Sequence, residues 1–189
     1  MLGIVGVFAY GRSVIGLLRL IGIINAGVWF GAAVFFMLGA APAFSSADMR
    51  DLLGANNFHY FSVAIGQVMV RRYFHWYVGC SLVALLHLTG EWLYLGKYPR
   101  RGWLALIACL WLVGIAQSAW LQPRLAQWHL LQYERSAQRE AYGRAFRVWH
   151  GVSSGLNCLA VLGLAVYLWR VANPPDTMRF VGASSKFRS

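Results

Sequence analysis

Charge is scarce in this chain of 189 residues, at 12% of the total, where a soluble domain carries about a quarter. Acidic side chains are scarcest, with six Asp and Glu against 17 Lys and Arg. Such a composition excludes disorder, a coiled coil and an exposed nucleic-acid-binding surface as descriptions of the whole chain. Cysteine is limited to Cys80, Cys109 and Cys158, each inside an apolar block. An odd number so placed is not a disulfide framework. The sequence has no Cys-x-x-Cys-His of covalent haem, no Cys-x-x-Cys metal pair, no Walker loop, no dinucleotide fingerprint and no His-Glu-x-x-His. It has no Asn-x-Ser/Thr sequon, and its opening apolar run ends at Arg12 without a small-residue cleavage site, so no removable signal peptide is expected.

Apolar residues make up 59% of the chain, and they come in long blocks that point to lipid as the solvent. The net charge of +11 then has a membrane explanation: Lys and Arg collect at span ends and face anionic lipid. No nucleic-acid partner is expected. A helical span needs about 20 apolar residues. Four blocks approach this, at about residues 20–44, 73–95, 103–121 and 148–171. Residues 58–70 are apolar but short and end at Arg71-Arg72, which reads as an interfacial helix before the second span. Residues 125–147 mix Arg135, Arg139, Arg144 and Arg147 with Glu134, Glu140 and apolar positions, the pattern of an amphipathic segment between spans three and four.

The predicted fold is therefore all-α, an integral membrane four-helix bundle. Residues 1–171 form a single transmembrane domain and residues 172–189 a polar tail that starts near Asn173-Pro174-Pro175. The basic residues divide almost evenly between the two faces. The short loop with Lys97, Arg100 and Arg101 breaks the tie and places both termini in the cytoplasm.

Within the blocks, Gly27 with Gly31 and Gly151 with Gly155 form GxxxG pairs, which let helix backbones approach closely in lipid. They suit packing inside the monomer or contact with another subunit. Ionisable groups inside spans are functional candidates. His75 follows Arg72 by three residues and His150 follows Arg147 by three, so both imidazoles are expected at similar depth on the non-cytoplasmic side. Arg124 ends span three on that side, with Gln117 and Ser118 a turn or two deeper. Such a layer can ligate a haem iron or a transition metal, or bind an anionic or quinone-like ligand. It is equally consistent with two interfacial histidines bonded to neighbouring helices. His87 and Glu91, at i,i+4, share a helix face and form either a proton or metal site or a self-satisfied buried pair. His59 and His129 read as surface residues of interfacial segments, and Asn25 and Asn157 as interhelical hydrogen-bonding groups.

Four runs in order carry a family resemblance: Val28-Trp29-Phe30-Gly31; Tyr73-Phe74-His75 continuing to Gly79-Cys80; Trp120-Leu121-Gln122-Pro123-Arg124; and Phe146 through His150-Gly151-Val152-Ser153-Ser154 with Asn157. Across roughly residues 20–170 the chain resembles the transmembrane-protein-205-like family, whose activity is unassigned. The resemblance implies a four-helix integral membrane protein and marks His75, Arg124 and His150 as pattern positions, without a cofactor or a reaction. Eukaryotic members are loosely linked to vesicle traffic and platinum-drug resistance. The compact linker between spans three and four and the His87–Glu91 pair depart from that pattern. The chain's compactness and lack of sequons suggest a bacterial inner membrane.

Three functional readings follow. The first is a non-catalytic accessory or structural subunit in contact with lipid and other membrane subunits. The second is a haem- or metal-binding redox protein built on His75 and His150. The third is a transporter or resistance factor for metals or small toxic compounds, which rests on family analogy.

Overall fold

The computed structural model describes residues 2–95, 101–134 and 137–173. Every regular element among them is helical: α1 (Leu2–Phe35), α2 (Ala41–Ala43), α3 (Ala47–Leu53), α4 (Ala55–Leu95), α5 (Arg101–Ile115), α6 (Gln122–Leu131) and α7 (Arg139–Ala172). Two π-helical stretches, Phe36–Ala40 and Ala116–Leu121, join α1 to α2 and α5 to α6 without a break. Both lie just ahead of a proline, Pro42 and Pro123, each in the first turn of the next helix. Proline lacks an N–H and crowds the carbonyl four residues earlier. A locally widened turn takes up that mismatch, and the helix passes through.

Among the described residues three helical stretches are long and apolar enough to cross a membrane: Gly16–Ala43, Arg101–Leu131 and Arg139–Ala172. The α4 helix is long enough, at 41 residues or about 60 Å, but His75, His87 and Glu91 dilute its apolar character. The expected interfacial helix at 58–70 is not separate. Residues 55–95 form one helix, because exposed Arg71 and Arg72 side chains do not interrupt helical geometry. A separate short helix does precede α4, but it is α3. Ser46 caps it by accepting from the Met49 N–H at 3.1 Å, and Gly54, at φ 74°, ends it with a backbone that only glycine adopts readily. Nor is 125–147 one amphipathic segment. Its first part completes α6, its last part opens α7, and a turn divides them. Lys97 and Arg100 of the orienting loop and residues 174–189 of the polar tail lie outside the described residues.

Helix α1 packs against α4 and α7, α5 lies against α4 and α7, and α6 lies against α7 and α4. Their shared core is aromatic. Trp29, 1% exposed, meets Tyr77 edge-on at 4.9 Å between centroids and Tyr167 at 6.2 Å, and Phe36 stacks on Tyr73 at 4.6 Å. Small residues at Ala26, Ala33, Ala84 and Ala160 fill the spaces between these rings. Trp29, Tyr73 and Phe74 are core residues.

Candidate functional site

A polar seam runs between α4, the α5–α6 helix and α7. At its inner end Tyr73 Oη donates to Asn157 Oδ1 at 3.1 Å. Next, Gln117 on the second π-helical stretch is 1% exposed and faces Ser153 of α7. Gln117 Nε2 donates to the Ser153 carbonyl at 3.1 Å, Ser153 Oγ returns a hydrogen bond to Gln117 Oε1 at 2.8 Å, and Gln122 Nε2 reaches the same hydroxyl at 3.4 Å. Gly151-Val152-Ser153-Ser154-Gly155 has the spacing of a nucleophile elbow. That device requires a strand-to-helix turn. Here the run lies inside α7, and Ser153 spends its hydrogen on an amide.

The outer end of the seam is built on His129, which the sequence had placed on the surface. It is 1% exposed. The Tyr60 carbonyl, 3.1 Å from Nε2, can only accept, so Nε2 carries the hydrogen, and Nδ1 accepts from Gln132 Nε2 at 2.8 Å. Rings enclose it: Tyr60 stacks at 5.6 Å, Tyr133 meets it edge-on at 5.3 Å and Phe146 lies at 5.5 Å. Gln67 adds a long hydrogen bond to the Leu125 carbonyl, at 3.5 Å. Beyond Gln132 a cavity of about 360 Å³ opens between the end of α6 and the start of α7.

The three residues expected to form one layer are not joined. His75 is exposed, and its Nδ1 lies 2.7 Å from the Arg71 carbonyl of its own helix. His150 is also exposed and stacks on Phe146 at 5.6 Å. Arg124 lies over the Trp120 ring, 4.8 Å from its centroid. No hydrogen bond or ring contact connects the two imidazoles. Among the described residues no group of three or more His, Cys, Asp and Glu side chains could hold a metal ion.

The other candidates have mixed outcomes. His87 and Glu91 do approach each other, with Nε2 3.9 Å from Oε1, and His87 is buried while Glu91 is partly exposed. That is too long for a hydrogen bond, and neither ring nitrogen of His87 has a hydrogen-bonding partner. Asn25 bonds across helices to the Cys80 carbonyl at 3.0 Å, as expected of it. The GxxxG glycines do not pack inside the monomer. A β-carbon added at Gly27, Gly31, Gly151 or Gly155 would meet nothing within 4 Å. The close helix contacts use other glycines, Gly22 against His87, Gly114 against Tyr77 and Gly163 against Leu110.

No protein family, curated protein or solved structure matches the chain.

Proposed function

We propose that the chain is a four-span, non-catalytic membrane protein that serves as an accessory or structural subunit of a larger membrane assembly. The fourth span is the stretch of α4 from about residue 73 to 95. Its support is packing: Tyr73, Phe74, Tyr77, Ala84 and Leu88 share one core with α1, α5 and α7, so α4 runs beside the three apolar helices. Four spans and the basic loop at 97–101 favour both termini in the cytoplasm, and the short linkers and lack of sequons favour a bacterial inner membrane.

The observation that carries the subunit reading is the open glycine faces. Gly27 and Gly31 on α1, and Gly151 and Gly155 on α7, leave bare backbone on the outer surface of the bundle. A glycine facing only lipid contributes little to packing, whereas one facing another helix permits close backbone approach. The test is gentle detergent extraction from native membranes, with particle mass read for the parent chain and for Gly27→Leu and Gly151→Leu. We expect a particle larger than the 21.1 kDa monomer that the Leu variants reduce to it. A monodisperse monomer from the parent chain would overturn the subunit reading. A Soret band or bound metal in that preparation would instead favour a ligand-binding protein.

A further inference from the structure

We propose that the cavity at the α6–α7 turn is a binding site for a phosphate ester, at the level where lipid headgroups lie. It is independent of whether the chain has partner subunits. Arg139, Arg144 and Arg147 line it together with Gln132, Tyr133 and Glu140. Three guanidiniums therefore face one carboxylate. Among the described residues none of the three is within ion-pair distance of an acidic group, the His87–Glu91 approach being the only such contact. Three like charges gathered around a single carboxylate still repel one another, and an anion between them relieves that repulsion.

The helix geometry explains why the site is open. Arg139, Gly143 and Arg147 are spaced by four residues and so share one face of α7. Gly143 forms the floor between them. A β-carbon there would stand 3.4 Å from Gln132 Oε1 and 3.8 Å from Arg147 Nη1, so any side chain at this position would fill the space between those groups. Arg139 also opens the 34-residue α7, whose first-turn N–H groups present partial positive charge to the same region.

The Tyr133 phenol also lines the cavity, its pKa raised by partial burial against the opposing effect of the Arg139 charge. It remains a hydroxyl donor. Gln132 is fixed by its bond to His129 and presents an amide oxygen, which suits a hydroxyl better than a phosphate oxygen. Together these groups fit a phosphate ester that carries hydroxyls, such as a glycerol-type headgroup. The depth agrees with this. Trp149, two residues after Arg147 in α7, meets Trp120 at 5.6 Å and Trp128 at 6.5 Å between ring centroids, in the manner of an interfacial aromatic belt, and the cavity residues of α7 all precede it.

The test uses the full chain in non-ionic detergent with fluorescent phosphatidylglycerol and phosphatidylcholine probes, and with inorganic phosphate as competitor. Phosphatidylglycerol should bind about tenfold tighter than phosphatidylcholine. Arg139→Gln, Arg144→Gln and Arg147→Gln should each weaken it about threefold, the scale of one exposed charge contact. Arg50→Gln, which removes a guanidinium stacked on Phe58, should leave binding unchanged. With those losses in place, failure of phosphate to compete assigns the site to a lipid headgroup, and competition at millimolar levels assigns it to a soluble phosphate ester. Equal binding of the two lipids without phosphate competition would overturn the proposal. So would a loss in Arg50→Gln as large as in the cavity variants, which would reduce the effect to net charge.

Discussion

The ring of His87 fills a notch that Gly22 leaves in α1: a β-carbon on Gly22 would stand 2.5 Å from both Cε1 and Nε2 of that ring. No real β-carbon tolerates that distance, so Gly22→Ala must displace a buried ring between two packed helices. Overpacking of this kind costs about 1–3 kcal/mol. His87→Ala removes the obstacle, so Gly22→Ala should be nearly harmless in that background. Detergent-based unfolding of the four proteins of this cycle gives the coupling directly. Strictly additive effects would mean that the ring does not occupy the notch.

Gly114 makes the same kind of contact with Tyr77, at 2.6 Å from the position of an added β-carbon to Cδ1. Gly114→Ala should therefore lower the midpoint of thermal unfolding of the monomer. Gly27→Ala, Gly31→Ala, Gly151→Ala and Gly155→Ala should not, because each added methyl enters open space. A monomer destabilised as much by Gly151→Ala as by Gly114→Ala would contradict this division.

That division also shows what the sequence made legible. Block length and hydropathy foretold an all-helical chain, and three of the four expected blocks lie in helices apolar enough to span a membrane. The joints were harder to read. Arg71-Arg72 resembled the end of a segment, but long basic side chains can extend from a continuous helix to solvent, and the break comes earlier, at Gly54 just ahead of α4. Pro123 resembled a stop, but a π-turn carries the helix through it. Glycine spacing alone did not single out the faces that pack inside the monomer, because heavy residues such as Trp29 and Tyr77 decide which side of a helix turns inward.

Gln117 and Ser153 exchange two hydrogen bonds at the centre of the seam. Ser153→Ala leaves Gln117 Oε1 buried without its donor and should cost about 1 kcal/mol, the scale of such bonds within membranes. Adding Gln117→Met should recover much of that loss, because an apolar side chain of similar length carries no stranded polar atom. If the double variant were less stable than Ser153→Ala alone, this pair would be contributing more than mutual satisfaction. Gln117 was visible in the sequence as a polar residue deep in a span. Its partner was not, because residue depth along a helix does not specify azimuth.

The same limit applies to the histidines. His75 and His150 were paired by equal depth, three residues beyond an arginine each, yet a helix turns about 100° per residue and depth says nothing of facing. Their rings are engaged separately, one at the Arg71 carbonyl and the other at Phe146. His75→Ala and His150→Ala should therefore act independently, with additive changes in stability and no change in the visible spectrum. Non-additivity, or a chromophore lost in both variants, would restore a shared site. His129→Ala should be the most damaging of the three, by about 2 kcal/mol or more, because it strands the Gln132 donor and leaves a void among Tyr60, Tyr133 and Phe146. His129→Gln keeps a donor toward the Tyr60 carbonyl and should recover part of that loss, whereas His129→Phe fills the void without the hydrogen bonds. Comparing the thermal unfolding of these variants measures how much of the site's rigidity comes from hydrogen bonding and how much from ring packing. If all three variants unfolded at the parent temperature, His129 would not hold α6 against α4 and α7.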